Sequence, residues 1–208
     1  MKLFLVSLSL FTTLHFSGIS QEAQPQLLTI PENWSFEFIA FPLDFAADLD
    51  YKGFEELRFS PGMFDTTSNR YFTYLFAAEL EGKHSFSIPE TKKFIKQYYQ
   101  GLSHAVAQSK ETSVDTSKIK VIIQKAKVKT GIHDAYFITV NFVDSFTNNQ
   151  EVLLNIELVV LHAKSDQNTY LVAAVSPQPK YSEVWKELYS YRKALMQGNP
   201  RLKMASGK

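Results

Sequence analysis

The stretch YFITVNFVDSFTNNQEVLLNIELVV, residues 136–160, decides the fold. Apolar and polar side chains alternate along 136–142 and again along 152–160, which is the period of strands that bury one face. The turn-prone sequence TNN at 147–149 separates the two runs. Together these features predict an antiparallel β-hairpin.

Five further strands are predicted on either side of this hairpin, at 34–40, 54–59, 71–80, 119–128 and 171–175. The stretch 71–80 is rich in aromatic and apolar residues without interruption, which favours a central strand buried on both faces. Within 119–128 the apolar phase changes, and this change predicts a β-bulge near Gln124.

Two helices complete the predicted order. Ser87 and Glu90 have the spacing of a capping box, and apolar side chains recur after them at helical spacing, so a helix is predicted over 89–108. A second helix is predicted from 182 to 197. The order of three strands, a helix, four strands and a helix favours a single α+β domain over 34–197. Its core is a mainly antiparallel sheet of about seven strands. The pattern does not fit the alternating units of a doubly wound nucleotide-binding fold.

The first 20 residues have the layout of a cleaved signal peptide. A lysine follows the initiator methionine, an apolar run covers 3–16, and small residues precede the expected cleavage point after Ser20. A short anchor helix is the other interpretation, but the run is shorter than the ~20 residues a bilayer span needs. We expect a flexible lead-in at 21–33, a frayed basic tail at 198–208, and no membrane span after cleavage.

Composition narrows the class further. The chain has 208 residues, 45% of them hydrophobic and 21% charged, which excludes disordered and coiled-coil classes. The absence of cysteine excludes a disulfide scaffold, a thiolate zinc site, a cysteine nucleophile and a lipoprotein anchor. Export without cysteine favours a bacterial periplasmic or extracellular protein.

Basic residues are concentrated in the middle of the chain. Residues 83–129 contain ten lysines and three acidic residues, whereas residues 21–82 contain eleven acidic and three basic residues. Five of these lysines crowd one predicted strand: Lys118, Lys120, Lys125, Lys127 and Lys129. They are a candidate patch for an anionic glycan or a lipid headgroup. Alternatively, they protect an edge strand from pairing with other chains. The neutral mature chain and its expected export disfavour nucleic acid as a partner.

Catalytic motifs are missing from the sequence. There is no serine elbow, no zinc-protease motif and no phosphate loop, and the four histidines of the mature chain are not spaced as a metal pair, so neither a metal nor a cofactor is expected. Three groups of carboxylates remain as candidates: the pair Glu79 and Glu81, the dipeptide 55–56, and three aspartates within 44–50. Of these, Glu79 and Glu81 would share one face at the end of a strand, as a glycosidase acid and base could.

Aromatic residues are abundant in the first half of the mature chain, between 36 and 76. They could line a pocket for a hydrophobic or sugar ligand, or they could simply form the core.

Six short segments carry a resemblance: FPLDFA at 41–46, KGFEELRFSPG at 52–62, YFTY at 71–74, LEG at 80–82, YYQGL at 98–102 and VSPQP at 175–179. Through them the chain resembles a group of exported bacterial proteins of unknown function. The resemblance implies a single exported domain and no particular activity.

Two functional hypotheses follow from the sequence. The first is a non-enzymatic exported domain that binds a ligand or another protein. The alternative is a hydrolase that acts on glycan or cell-wall material through a carboxylate pair.

Overall fold

The computed structural model describes residues 27–28, 31–128, 132–162 and 167–199. The predicted signal peptide, most of the predicted lead-in and nearly all of the predicted tail lie outside these residues. The strands are β1 (Ser35–Phe41), β2 (Gly53–Phe59), β3 (Tyr74–Leu80), β4 (Lys120–Lys125), β5 (Asp134–Asp144), β6 (Gln150–His162) and β7 (Thr169–Ser176). The helices are α1 (Ile88–Ser109) and α2 (Glu183–Gly198), with short 3-10 turns at Asp44–Ala46 and Thr116–Lys118.

All seven strands form one antiparallel sheet in the order β1-β2-β3-β7-β6-β5-β4. Two sets of sequential strands, β1 to β3 and β4 to β7, are joined by the pairing of β3 with β7. The predicted fold class is confirmed: a single α+β domain with seven antiparallel strands, two helices and the order βββ-α-ββββ-α.

Helix α1 packs on one face of the sheet. The side chains of Ser87 and Glu90 form the predicted capping box, and the Glu90 carboxylate accepts a hydrogen bond of 2.8 Å from the Ser87 N–H. Gly101 lets the 3-10 turn at Asp44–Ala46 touch the helix, since a Cβ there would lie 1.9 Å from the Phe45 carbonyl oxygen. The turn and the helix therefore cover the α1 face of the sheet together.

Helix α2 covers the opposite face over β3 and β7, where Trp185 and Leu188 are fully buried. Leu27 and Leu28 belong to the same core. Neither of the two helices in the described part of the chain is long and apolar enough to cross a membrane.

A buried ion pair on β2 binds the backbone of Leu27 and Leu28, two residues that precede β1. The Glu56 carboxylate accepts hydrogen bonds from the backbone N–H groups of Leu27 (2.9 Å) and Leu28 (3.0 Å). The Arg58 guanidinium donates to the Leu28 carbonyl (2.8 Å) and to Glu56 (2.9 Å). The sequence predicts a flexible lead-in over 21–33, and these two residues within it are instead buried and hydrogen-bonded.

The β-bulge predicted near Gln124 is wrong. The register of β4 with β5 runs without a break from Lys120 opposite Asn141 to Lys125 opposite Tyr136. The apolar phase changes because β4 ends at Lys125, so the following residues no longer obey the strand period.

Replacing Leu28 tests the docking of the N-terminal segment. Because Leu28 is fully buried, we expect Leu28→Ala to lower the free energy of unfolding by about 2–5 kcal/mol in a urea titration. Leu153→Ala is the matched control at a residue that is 57% exposed, and it should cost less than about 1 kcal/mol. Equal effects of the two substitutions would contradict the burial of Leu28.

Candidate functional site

The predicted carboxylate pair, Glu79 and Glu81, does not lie on the face of the sheet that α1 covers. Glu79 lies on β3 and its carboxylate accepts a hydrogen bond from the Asn168 side chain (2.9 Å). Glu81 is exposed just after the end of β3. Neither side chain lines the cavity described below.

The predicted lysine patch lies on and beside β4, which is an edge strand of the sheet. The Lys125 ammonium pairs with Asp134 at 2.6 Å, and Lys118 lies 3.8 Å from Glu151. Lys120 and Lys127 are exposed, and Lys129 lies outside the described residues. This placement fits edge protection, and binding of an anionic partner stays a prediction.

Two histidines meet at one end of the sheet. The ring centroids of His133 and His162 are 4.3 Å apart, and His133 Nδ1 lies 2.9 Å from an Asp134 oxygen. Burial and the neighbouring His133 lower the pKa of His162. Across the described ranges, no group of three or more histidine, cysteine or acidic side chains is arranged to hold a metal ion.

A cavity of about 330 Å³ lies between the C-terminal half of α1 and strands β1 and β2. This volume is within the range typical of small-molecule sites, about 300–1,000 Å³. Its wall is formed by Glu37, Ile39, Phe45, Leu57, Phe59, Met63, Phe64, Phe72, Tyr74, Tyr98, Leu102, Ala105, Val106, Ser109 and Phe146. Five of the aromatic residues noted between 36 and 76 in the sequence therefore line a concave surface: Phe45, Phe59, Phe64, Phe72 and Tyr74.

Side-chain size explains why space remains there. Tyr98 of α1 packs edge-on against Phe45 and Phe76 and fills the space above the middle of the sheet. One helical turn after Tyr98, the residue of α1 that lines the cavity is Leu102, and one turn later it is the small Ala105. Phe64 is 52% exposed and stands at the rim of the space.

The alternation of β1 puts a carboxylate on the cavity wall. Glu37 and Ile39 line the cavity, whereas Phe36 lies on the opposite face, where its ring stacks 5.1 Å from the Arg58 guanidinium carbon. Trp34, just before the strand, belongs to the core on that same face. In the structure Trp34 is buried and Phe36 is 58% exposed.

A second carboxyl group lies behind this wall. Glu55 on β2 is fully buried, and its Oε1 accepts a hydrogen bond of 3.2 Å from the Tyr98 hydroxyl. Its Oε2 has no hydrogen-bond partner in the described part of the chain. Since Glu37 stands opposite Leu57 in the β1–β2 register, Glu37 and Glu55 are diagonal neighbours on the same face. Next to them, the Tyr74 and Tyr99 hydroxyls are 2.5 Å apart.

Burial raises the pKa of the Glu55 carboxyl group. Desolvation raises the pKa of Glu55 to about 8, the hydrogen bond from Tyr98 opposes that rise, and the charge of Glu37 adds to it. Desolvation also raises the pKa of Glu37. Burial raises the pKa of the Tyr98 hydroxyl as well, so Tyr98 is a neutral donor. At neutral pH a protonated Glu55 thus lies behind the cavity wall, and Glu37 on the wall is partly exposed to solvent and partly desolvated.

A wider cleft of about 530 Å³ lies on the other face, between α2 and strands β5 and β6. Its carboxylate, Glu157, accepts hydrogen bonds from Tyr189 (2.7 Å) and Arg192 (3.1 Å), and Lys180 lies 3.4 Å away. The charge of Glu157 is therefore compensated within the protein. The cavity under α1 is the better candidate site, because two carboxyl groups there lack a basic partner among the described residues.

Sequence reasoning missed the pairing of Glu37 with Glu55. The sequence singles out the dipeptide 55–56 as a candidate, but it gives no sign that Glu37 lies beside it. The one available signal was a pair of glutamates within the apolar strand FEELRF at 54–59, since acidic residues are rarely buried without a reason.

Comparisons with protein-family models, curated proteins and solved structures find no match to this chain.

The raised pKa of Glu55 predicts that stability depends on pH. The folded state binds a proton that the unfolded state releases above its ordinary pKa near 4.5, so stability is lost as pH rises from about 5 to about 8. Each pKa unit corresponds to about 1.4 kcal/mol, so we expect a loss of a few kcal/mol. Glu55→Gln should remove this part of the pH dependence in urea titrations at pH 5, 6, 7 and 8, while Glu32→Gln at an exposed position should keep it. An unchanged slope in Glu55→Gln would contradict the buried, protonated carboxyl.

Proposed function

We propose that this chain is a non-enzymatic, exported domain that binds a small apolar molecule in the cavity between α1 and strands β1 and β2. The observation that carries the proposal is the cavity itself, about 330 Å³ of space walled mostly by aromatic and aliphatic side chains. Ligand sites are concave and mostly apolar, with a few polar groups that fix orientation.

The rim of the cavity supports a binding role. Phe64 stacks obliquely on Phe146 (centroids 5.5 Å apart) and on Phe59 (6.4 Å), and it is half exposed. These rings come from the loop after β2, from the β5–β6 turn and from β2 itself. An apolar ligand would bury the exposed part of Phe64, which contributes about 25 cal/mol for each Å² removed from water.

Polar groups on one side of the cavity give the ligand an orientation. The Glu37 carboxylate and the Tyr98 hydroxyl lie on or beside an otherwise apolar wall. A ligand with one polar end and one apolar end would match this distribution. A molecule with polar groups along its whole length, such as an oligosaccharide, would leave many of them unpaired.

Export is the second part of the proposal. It rests on the layout of residues 1–20, with a positive start, an apolar run and small residues before the expected cleavage point. A periplasmic or extracellular place would suit a domain that captures a ligand outside the cytoplasm.

Filling the cavity tests the binding role, with 1-octanol as the probe. At ten times its dissociation constant, a ligand should raise the Tm of a domain of this size by about 3–6 °C. We expect this rise in the wild-type protein and its loss in Ala105→Trp, because the indole would occupy the probe's space. Ala194→Trp, at an exposed position of α2, is the control and should respond like the wild type.

Two outcomes would count against this role. If 1-octanol does not shift the Tm of the wild-type protein, the proposed site is wrong for apolar probes of this size. If Ala105→Trp responds as fully as Ala194→Trp, the probe binds elsewhere.

A further inference from the structure

The described wall of the cavity carries negative charge only. Among the described residues that line it, Glu37 is the one charged side chain, and there is no lysine, arginine or histidine. The other polar groups on the wall are the hydroxyls of Ser109, Tyr74 and Tyr98. The described wall therefore carries one negative charge and no basic side chain. Beside it, the Lys110 ammonium donates to the Phe146 carbonyl.

The buried Glu55 behind the wall is a second acidic residue near the cavity. Glu55 contacts the Tyr98 hydroxyl at 3.2 Å, and its second oxygen is buried without a partner in the described part of the chain. None of the ion pairs among the described residues involves Glu37 or Glu55. By contrast, Glu56 on the opposite face of β2 is paired with Arg58 at 2.9 Å. Glu56 thus has a cation of its own within the described part of the chain, and Glu37 and Glu55 do not.

Aromatic rings surround the same space. The wall includes the rings of Phe59, Phe64, Phe72 and Phe146. The faces of such rings attract cations, by about 0.5–2 kcal/mol depending on how far the cation is removed from water. Acidic groups without a basic partner, next to aromatic faces, are complementary to a positive charge on an apolar body.

We propose that the ligand of this cavity is an amphiphilic amine, whose ammonium group pairs with Glu37 and whose apolar tail lies among the phenylalanine rings. This inference rests on the proposed function and specifies the ligand class of the same site. A carboxylate ligand would bring a second negative charge to Glu37, which is unfavourable at close range. A neutral ligand would gain no charge–charge attraction to this carboxylate.

Proton release accompanies the binding of the ammonium group. The titratable groups that face this end of the cavity are Glu37 from β1, Glu55 from β2, Tyr74 from β3, and Tyr98 and Tyr99 from α1. A nearby cation favours the ionised form of a carboxyl group, so Glu55 gives up its proton to the solvent when the amine binds. Affinity therefore rises with pH from about 6 to about 9, while an alkylamine keeps its charge up to about pH 10.

Three probes with the same tail test the charge preference: n-octylamine, 1-octanol and sodium octanoate, each titrated calorimetrically into the wild-type protein at pH 8. We expect n-octylamine to bind about tenfold or more tightly than 1-octanol, and octanoate to bind most weakly. Glu37→Gln should reduce the affinity for n-octylamine to near that for 1-octanol and leave the affinity for 1-octanol unchanged.

Two further variants control for surface charge and test the proton release. Glu81→Gln removes an exposed carboxylate outside the cavity and should not change the binding of n-octylamine, which separates the site from general attraction to acidic surface. Glu55→Gln should abolish the proton release, measured as the dependence of the binding enthalpy on the ionisation enthalpy of the buffer, with n-octylamine still bound.

The outcomes separate the two proposals. Equal affinity for the three probes, or a preference for octanoate, would overturn the amine inference and leave the apolar site standing. An n-octylamine preference that survives Glu37→Gln would also overturn it. If none of the three probes binds, the proposed function fails and the amine inference fails with it.

Discussion

The pairing of β3 with β7 is the constraint on which the rest of the structure depends. It runs from Tyr74 opposite Val175 to Leu80 opposite Thr169 and joins two sets of strands that are distant in the sequence. Because β4 lies at the far edge of the sheet, the chain between β3 and β4 must cross one face, and α1 is that crossing. Helix α1 contacts β4 and β5 and the 3-10 turns at Asp44–Ala46 and Thr116–Lys118. The wall of β1 and β2 is therefore only partly covered, and the cavity lies there.

The two adjacent glutamates of β2 show how the faces of the sheet differ. Glu56 points toward α2 and is held by Arg58 and by two backbone N–H groups. Glu55 points toward α1 and, among the described residues, has a single hydrogen-bond partner, Tyr98. An isolated buried charge is costly, and a buried carboxyl group without a cation avoids that cost by keeping its proton. One face thus uses its carboxylate to fix the chain's own N-terminal segment, and the other keeps a carboxyl group available beside a cavity.

Much of the fold could be predicted from the sequence because local rules agree with the tertiary structure. The alternating residues of 136–142 and 152–160 lie in β5 and β6, and the capping box at Ser87 begins α1, as expected. The strand order could not be predicted, since nothing local specifies that β3 pairs with β7. The same limit hid the site: Glu37 and Glu55 become neighbours only through the register of β1 with β2. Burial of Leu28 was missed for a related reason, because its partners are 28 and 30 residues away.

The most direct measurement is a methyl NMR titration of residues 21–208, the chain without its predicted signal peptide, with n-octylamine. The cavity wall carries the methyl groups of Met63 and Leu102, whereas Leu28 and Leu188 lie in the core on the α2 side of the sheet. Binding in the cavity should shift the signals of the first pair, with intermolecular contacts to the octyl chain, and leave the second pair in place. Shifts confined to the α2 side, or to the exposed Leu153, would contradict a ligand site beneath α1.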